Sequence, residues 1–408
     1  MTVQIRPVRT RGDLNAFVDL PFRLYRGQEH WVPPLRFLHK QELNRKRNPF
    51  FEHAEAEYFL AERDGRVVGR ITAQIDRNLH AFQDNRWGQF GWFECEDDQA
   101  VADALLDTAA EWVRTRGCDR LVGPFSFTSN DECGLLIAGH DRPPIVLTGW
   151  HHPYYRALLE NAGMARAMDT LMWDCHARER AGVHPMLWKA AERVEPDHGI
   201  VVRNFRKKDI EAEIGRFLEV YNSAWERNWG FVPLTEKEVR HYAKELGPIL
   251  DEKWAFVAEK RDTGEVVGAA LTVPDFNQVL ARVRNGRLLP FGWLTLLRHR
   301  KDVDRVRIFA LGVKPDYAHT GLGAKLYEVH YQAAMSTPQG GGEAGWILES
   351  NVAMSKGMKR MGGRIARRYR FYERLLEDGA EPSVPPDSRY SGDWVDETTM
   401  ARGRTENV

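Results

Sequence analysis

Two segments of this 408-residue chain resemble each other closely enough to indicate that the same fold occurs twice. Residues 58–76 read YFLAERDGRVVGRITAQID, and residues 255–275 read AFVAEKRDTGEVVGAALTVPD. Each has an apolar run, the pair Ala-Glu, a charged turn, Val-Val-Gly and a second apolar run that ends in Asp. Two such runs joined by a turn that contains Asp and Gly predict a β-hairpin. An internal repeat restricts the fold to architectures built from two similar units.

A second pair of similar segments follows in the same order. Residues 158–173 and 357–372 each contain the end of a predicted helix, a glycine at the stop position and a strand-like run. The glycines are Gly163 and Gly362, and an asparagine stands upstream of each, at Asn130 and Asn351. Because both pairs are separated by about 200 residues and keep their order, we predict a domain duplication.

The order of predicted elements gives the fold class and the boundaries. Each half reads strand, helix, hairpin, strand, helix, strand, helix, strand, which favours an α/β fold with a mixed sheet, of the α+β kind. The first domain is predicted over residues 1–178 and the second over 198–378, with a linker over 179–197. Residues 379–408 are rich in Gly, Pro, Asp and Arg, which is typical of a poorly ordered polar tail.

Composition excludes several classes of function. The 58 basic and 58 acidic residues balance, so no overall charge attracts nucleic acid or an anionic membrane. No apolar run reaches the roughly 18 residues that span a bilayer, and the first residues lack the apolar core of a signal peptide. The four cysteines and 14 histidines show no metal-site spacing, so free thiols and no metal are expected. We therefore expect a cytoplasmic protein with at most peripheral membrane contact.

The segment with the clearest chemical meaning is RVRIFALGVKPDYAHTGLGAKLY, residues 305–327. It predicts a strand over 306–313, a loop with Pro315 and Asp316, and a helix that opens at Gly321-Leu322-Gly323. The unpaired N–H groups at a helix N-terminus attract anions, and glycine lets a phosphate approach the backbone closely. A plain tight turn between strand and helix is the alternative.

Residues 311–324, LGVKPDYAHTGLGA, resemble the acetyl-CoA motif of the GNAT superfamily. The resemblance implies two tandem GNAT folds and acyl-CoA as co-substrate, with the pantetheine arm on the backbone of Leu311 and Val313. The residues that it assigns to the pyrophosphate are His319, Thr320, Gly321, Leu322, Gly323 and Ala324. Ala318 stands where the motif usually has Arg or Gln. Only backbone N–H groups of the glycine loop then remain to hold the pyrophosphate.

The matching region of the first half differs from this motif. Residues 93–98, FECEDD, carry four acidic side chains and no glycine pair, so a phosphate would be repelled there. We therefore expect the cofactor loop to survive only in the second copy.

The same resemblance suggests residues for the chemistry. In GNAT proteins the strand at Ile347–Leu348 parts from its neighbour, the opening receives the thioester, and an asparagine placed like Asn351 often binds the CoA arm. Glu349 is a candidate general base, with a solvent-facing carboxylate at a strand end as the alternative. Tyr369 and Tyr372 are candidate acids for the leaving thiolate, as a Tyr after this helix is in many GNAT enzymes. Strand side chains alternate between faces, so at most one tyrosine faces the site on a regular strand; packing is the alternative for Tyr372.

Across residues 5–375 the chain is also similar to a family of bacterial tandem GNAT proteins. The stretches typical of it are GWFE at 91–94, GP at 123–124, PYY at 153–155 and NSAWERNWGF at 222–231. Some members are regarded as ceramide synthases, which acylate a sphingoid amine from acyl-CoA. The resemblance implies an acyl-CoA-dependent N-acyltransferase whose acceptor is a small-molecule or lipid-like amine. The alternatives are a non-catalytic acyl-CoA sensor or scaffold, and an aminoacyl-tRNA-dependent transferase, which the balanced charge disfavours.

A long insertion separates the second hairpin from the motif strand. Residues 276–304 contain the apolar stretch LLPFGWLTLL, residues 288–297, where simple GNAT domains have a short loop. Such a stretch predicts a wall for an acyl chain or lipid-like acceptor, or a strut that packs the two halves together. Contact with a membrane surface is the third possibility.

Overall fold

The computed structural model of the chain describes residues 2–177, 183–247 and 249–384. Residues 179–182 of the predicted linker and 385–408 of the predicted tail lie outside the described residues. The helices and strands are, in chain order, β1 Gln4–Pro7, α1 Arg11–Leu24, α2 Arg36–Glu42, β2 Ala54–Arg63, β3 Arg66–Asp76, α3 Arg77–Gln83, β4 Trp87–Cys95, α4 Gln99–Arg114, β5 Arg120–Gly123, β6 Leu135–Ala138, α5 Tyr154–Asn161, β7 Ala165–His176, α6 Pro185–His198, β8 Ile200–Asn204, α7 Ile210–Trp225, α8 Glu236–Leu246, β9 Ala255–Lys260, β10 Val266–Pro274, α9 Asn277–Leu280, α10 Gly292–His299, β11 Arg305–Val313, α11 Leu322–Ser336, β12 Gly341–Leu348, α12 Val352–Arg360 and β13 Arg364–Leu375.

The chain forms two compact units whose boundaries differ from the predicted domains. In the described chain, the first unit consists of residues 2–170, 279–299 and 367–384. The second unit consists, among the described residues, of 171–177, 183–247, 249–278 and 300–366. The insertion and most of β13 therefore belong to the first unit, and the last part of β7 belongs to the second.

The first unit contains a mixed sheet whose strand order is β1-β2-β3-β4-β5-β13, with β6 alongside β13. β1 to β4 pair antiparallel in succession, and β4 pairs parallel with β5. Residues 372–375 of β13 pair antiparallel with β5. The buried side chains of Phe17, Leu60 and Trp92 belong to the apolar core beside this sheet.

The second unit repeats this arrangement with strand order β12-β11-β10-β9-β8. β8 to β11 pair antiparallel in succession, and β11 pairs parallel with β12. Residues 171–176 of β7 complete the sheet beside β12. One apolar core includes Leu322 and Leu326 of α11, and another includes Phe217 and Tyr221 of α7.

The two halves of the sequence therefore carry the same order of strands. In both, three antiparallel pairs precede one parallel pair, and the hairpins β2–β3 and β9–β10 occupy equivalent places. The predicted mixed α/β fold in two copies is confirmed. The predicted linker, in contrast, includes most of the helix α6. The side chain of Val194 on α6 packs in the core of the second unit.

The insertion forms an exposed apolar surface rather than an interior wall. Residues 279–299 belong to the first unit, and the side chains of Leu289, Phe291, Trp293, Leu294 and Leu297 are exposed. Its two ends are anchored by buried residues, Val279 and Val283 near the start and Val303 near the end. Interior packing or an enclosed tunnel therefore does not account for the exposed side chains.

Candidate active site

The glycine loop lies at the N-terminus of α11, as the sequence predicts. Pro315–Thr320 form a short 3-10 turn, and Gly321 enters the left-handed region with φ of 81° before α11 begins at Leu322. The first intrahelical bond is donated by the backbone N–H of Lys325 to the carbonyl of Gly321 at 3.2 Å. The N–H groups of Gly321, Gly323 and Ala324 precede it and have no acceptor within the helix, whereas the N–H of Leu322 donates to the Thr320 hydroxyl at 3.3 Å. This is the arrangement that binds an anion at a helix N-terminus.

The two glycines of this loop have different surroundings. A Cβ on Gly321 would lie 3.1 Å from the carbonyl oxygen of Ala190 in α6, and its positive φ would strain any other residue. A Cβ on Gly323 would meet no atom within 4 Å. Gly321 is therefore required by the turn and by the contact with α6, whereas Gly323 borders open space in which a ligand could lie.

β11 and β12 part beside this loop. Their parallel ladder ends at the pair Ile308–Ala344, although β11 continues to Val313 and β12 to Leu348. On its other edge, β11 has a bulge at Phe309, because Leu271 pairs with Ala310 and Thr272 with Ile308. Strand backbone groups point alternately to the two edges, so part of the N–H and C=O groups between Phe309 and Val313 face the opening.

The matching strands of the first unit also part, but the chain itself occupies the opening. The ladder between β4 and β5 ends at Gln89–Val122, while β4 continues to Cys95. The backbone N–H of Phe125 donates to the carbonyl of Phe90 at 2.7 Å, and Gln74 donates to the carbonyls of Phe125 and Phe127. At the start of α4, Asp98 caps the helix by accepting from the N–H of Val101. A carboxylate therefore occupies the helix N-terminus that Gly321 leaves open in the second unit.

One of the four acidic residues assigned to the loop of the first half lies elsewhere. Glu94 is part of β4, and its buried carboxylate accepts hydrogen bonds from the hydroxyls of Tyr25 and Tyr155, both at 2.7 Å. Burial raises the pKa of Glu94. The acidic character of that loop therefore comes from Glu96, Asp97 and Asp98 alone.

Glu349 and Asn351 follow β12 in the second unit. The Glu349 side chain is only 1% exposed, so the alternative of a solvent-facing carboxylate is wrong. The Asn351 side chain accepts a hydrogen bond from the backbone N–H of Met354 at 3.0 Å and thereby caps α12. Glu349, Asn351 and the glycine loop thus belong to the same unit.

The structure does not bring Tyr369 and Tyr372 into that unit. Both lie on the part of β13 that belongs to the first unit, and both are fully buried. The hydroxyl of Tyr369 donates to the carbonyl of Gly149 at 3.0 Å, and that of Tyr372 donates to Glu160 at 3.2 Å. Burial raises the pKa of the Tyr372 phenol. Both of these hydrogen bonds lie within the first unit, and a catalytic role for either tyrosine stays a prediction.

Two further residues near the parting strands were not found from the sequence. Arg307 of β11 is fully buried, and its guanidinium donates to the carbonyl of Gly345 at 3.3 Å and lies over the Trp346 ring. Trp225 at the end of α7 packs so closely on β11 that a Cβ at Gly312 would collide with its ring. The sequence signal for Arg307 is a charged residue between Val306 and Ile308 of a predicted apolar strand, and Arg305 two residues earlier gives the same signal.

Comparisons with known proteins agree with this architecture. The model of the acetyltransferase (GNAT) family matches residues 24–131, which lie in the first copy. A protein named bacterial ceramide synthase, from Caulobacter vibrioides, is 37% identical over 92% of this chain and 98% of its own length. Protein YghO of Escherichia coli is 32% identical over 91% of this chain and 95% of its own length.

Solved structures extend the likeness of fold to both copies. A tandem GNAT protein from the clavulanic acid biosynthesis pathway has a TM-score of 0.52 and 12% identity, covering 93% of this chain and all of its own. A GCN5-related N-acetyltransferase from Sphaerobacter thermophilus has a TM-score of 0.51 and 14% identity, with 94% and 98% covered. With two relatives above 30% identity over nine-tenths of its length, the chain belongs to the GNAT acetyltransferase family, as a tandem protein with two copies of the fold.

Proposed function

We propose that the chain is an acyl-CoA-dependent N-acyltransferase whose acceptor is a long-chain amine and whose acyl-CoA site is in the second unit. The observation that carries this proposal is the combination of the glycine loop at α11 with the parting of β11 from β12. The loop offers N–H groups to a pyrophosphate, and the parted strands offer backbone groups to a pantetheine arm at Leu311 and Val313. The first unit supports the same choice, because Phe125 and Asp98 occupy the corresponding places there.

Residues of the second unit can supply what acyl transfer to an amine requires. The amine attacks the thioester carbonyl, the C–N bond forms, the C–S bond breaks, and the ammonium proton must leave. Glu349 is a buried carboxylate beside β12 that can take this proton directly or through a water. N–H groups of β11 near Leu311 can stabilise the negative charge on the carbonyl oxygen. His319 and Thr320 precede Gly321 in the loop and complete the set assigned to the pyrophosphate.

The long-chain acceptor is supported by the relative named bacterial ceramide synthase, which matches this chain almost from end to end. That similarity includes both copies, so it is not restricted to the part that any GNAT enzyme shares. A sensor or scaffold without catalytic activity is the second candidate, because Ala318 removes a side chain that the motif usually supplies.

The test combines a binding and a turnover measurement on three variants. Gly323→Glu places a carboxylate where the phosphates must lie, and we expect CoA affinity to fall about a hundredfold, measured by calorimetry. A carboxylate in the first turn of a helix favours the helix dipole, so folding should persist. Gly215→Glu is the matched control, because Gly215 lies within α7 and a Cβ there also meets no atom within 4 Å. Glu349→Gln should retain CoA binding and lose about 10²–10⁴-fold in turnover.

Turnover is measured as thiol release from palmitoyl-CoA and from acetyl-CoA, with a long-chain amino alcohol or with ethanolamine as acceptor. We expect product with the long-chain pair, because each buried methylene contributes about 0.8 kcal/mol to binding. CoA binding without turnover of any pair would favour the sensor. Equal affinity in Gly323→Glu and Gly215→Glu would exclude the loop as the pyrophosphate site.

A further inference from the structure

Exposed apolar side chains are concentrated in the insertion of the first unit. Ten large apolar side chains are exposed in the described part of the chain, and five of them lie within residues 289–297. Their exposed fractions are 74% for Leu289, 71% for Phe291, 47% for Trp293, 45% for Leu294 and 53% for Leu297. Single exposed apolar residues are common on proteins, but a contiguous group of this kind marks an interaction surface. We call residues 289–297 the apolar tip.

The apolar tip is surrounded in sequence by positive charge. Residues 279–299 contain four arginines and no acidic residue, although the chain as a whole is neutral. These arginines are Arg282, Arg284, Arg287 and Arg298, and all four are exposed. Arg300 and Lys301 continue the basic run. A partner that fits this surface is therefore apolar within and negatively charged at its boundary.

The base of the insertion is fixed on the first unit. The backbone N–H of Arg36 donates to the carbonyl of Gly286 at 3.0 Å, and its side chain donates to the carbonyl of Asn285 at 2.8 Å. Arg284 donates to the carbonyl of Trp31 at 3.3 Å. Val279 and Val283 are buried below. The exposure of the apolar tip is thus a property of an anchored segment.

Several polar groups of the apolar tip form hydrogen bonds within the insertion. The indole N–H of Trp293 donates to the carbonyl of Pro290 at 3.0 Å, and the backbone N–H groups of Trp293 and Leu294 donate to Leu288 and Phe291. A polar group that enters hydrocarbon must already be paired, because lipid chains offer no hydrogen bonds. Trp293 and Leu297 are one helical turn apart on α10 and share a face.

We infer that the insertion docks the protein on an anionic lipid surface, with the apolar tip in the acyl chains and the arginines among the headgroups. Apolar and aromatic residues next to basic ones are the composition of segments that lie at a membrane interface. A second copy of this chain fits less well, because a symmetric contact would place the arginines of both copies against each other. The inference does not rest on the proposed acyltransferase activity.

The test is flotation of the full chain with lipid vesicles, without CoA or amine. We expect binding to vesicles of phosphatidylcholine mixed with phosphatidylglycerol, and weak binding to phosphatidylcholine alone. Trp293→Ser with Leu297→Ser should lower the partition coefficient by about tenfold to a hundredfold. Arg287→Gln with Arg298→Gln should lower it by about tenfold or more on mixed vesicles only.

The matched control is Met186→Ser with Met335→Ser, which removes two exposed apolar side chains outside the insertion and should leave partition unchanged. All variants alter exposed residues, and equal unfolding midpoints would show that they remain folded. The inference is overturned if wild type does not float with mixed vesicles, or if the control loses as much binding as the tip variant. A dimer in solution that the tip variant converts to monomers, with no vesicle binding, would assign the surface to a second copy instead.

Discussion

His330 is a neutral histidine buried in the second unit. Its Nδ1–H donates to the carbonyl of Leu326 at 2.6 Å, and its Nε2 accepts from the Thr272 hydroxyl at 2.9 Å. The Leu326 carbonyl only accepts, so Nδ1 carries a proton, and a neutral imidazole has Nε2 free to accept from the Thr272 hydroxyl. Burial lowers the pKa of His330 to about 4.

This lowered pKa predicts a loss of stability in mild acid. The unfolded chain binds a proton at this histidine near pH 6.5, whereas the folded chain does so near pH 4, so the stabilisation is complete above about pH 6.5 and is lost as the pH falls towards 4. The linked free energy of unfolding is roughly 3 kcal/mol. Urea unfolding at several pH values measures this, and the free energy of unfolding should fall less steeply with falling pH in His330→Gln than in wild type. His319→Gln, at an exposed histidine, should follow wild type; equal pH slopes in all three proteins would contradict the assignment.

The sequence predicted the backbone of the candidate site better than its side chains. The spacing of Gly321 and Gly323 was sufficient to locate the start of α11, because a helix N-terminus is a local feature. It could not distinguish their roles, since the contact of Gly321 with Ala190 joins residues that are far apart in the chain. The burial of Glu349 and the partners of Tyr369 and Tyr372 likewise depend on tertiary packing.

Among the secondary-structure elements, α6 lies mostly in the segment that the sequence analysis assigned to a linker. Residues 179–197 were assigned to a linker, although Pro185 at the first helical position and Gly199 in the left-handed region after the last are common helix boundaries. β11 and α11, in contrast, lie where the sequence analysis predicted a strand over 306–313 and a helix that opens at Gly321. Only Ala191 and Val194 are buried on α6, and burial of this kind depends on tertiary packing that the sequence does not show.

The packing of α6 predicts a measurable difference between two positions on it. Val194 is fully buried in the core that contains Leu322 and Leu326 of α11. Glu192, in contrast, is exposed. Val194→Ala should lower the free energy of unfolding by about 2 kcal/mol, because it removes two buried methyl groups and leaves a cavity. Glu192→Ala should change it by less than about 0.5 kcal/mol. Chemical denaturation measures both, and two neutral variants would restore the linker interpretation.

The division of the chain into units is the feature that sequence repeats could not reveal. A repeat reports which segments share a fold, and it gave β13 as the last strand of the second copy. It does not report which unit a strand joins, because strand pairing between distant segments depends on their packing. Residues 367–375 of β13 pair with β5 and β6 in the first unit, about 240 residues away from them in sequence.

Arg370 is the residue of β13 with the clearest energetic role in the first unit. Its guanidinium donates two hydrogen bonds to the Asp169 carboxylate, at 2.8 and 3.0 Å, and Asp169 is fully buried. Two parallel N–H···O bonds between Arg and carboxylate form the strongest kind of ion pair. Arg166 and Arg368 lie 3.4 and 3.9 Å from the same carboxylate, so removing Arg370 costs less than the roughly 3–5 kcal/mol of a buried charge left with no partner.

Arg370→Met should therefore destabilise the first unit, although this residue lies close to the C-terminal end of the sequence. Hydrogen exchange should quicken at the backbone amides of β4 and β5, which are in the same unit as Arg370. Arg364→Met is the matched control, because Arg364 lies on the same strand but is exposed and belongs to the second unit; it should change stability by less than about 0.5 kcal/mol. If the domains followed the two halves of the sequence, Arg370→Met would instead speed hydrogen exchange in β11 and β12 and leave β4 and β5 protected. That pattern of exchange would refute the assignment of β13 to the first unit.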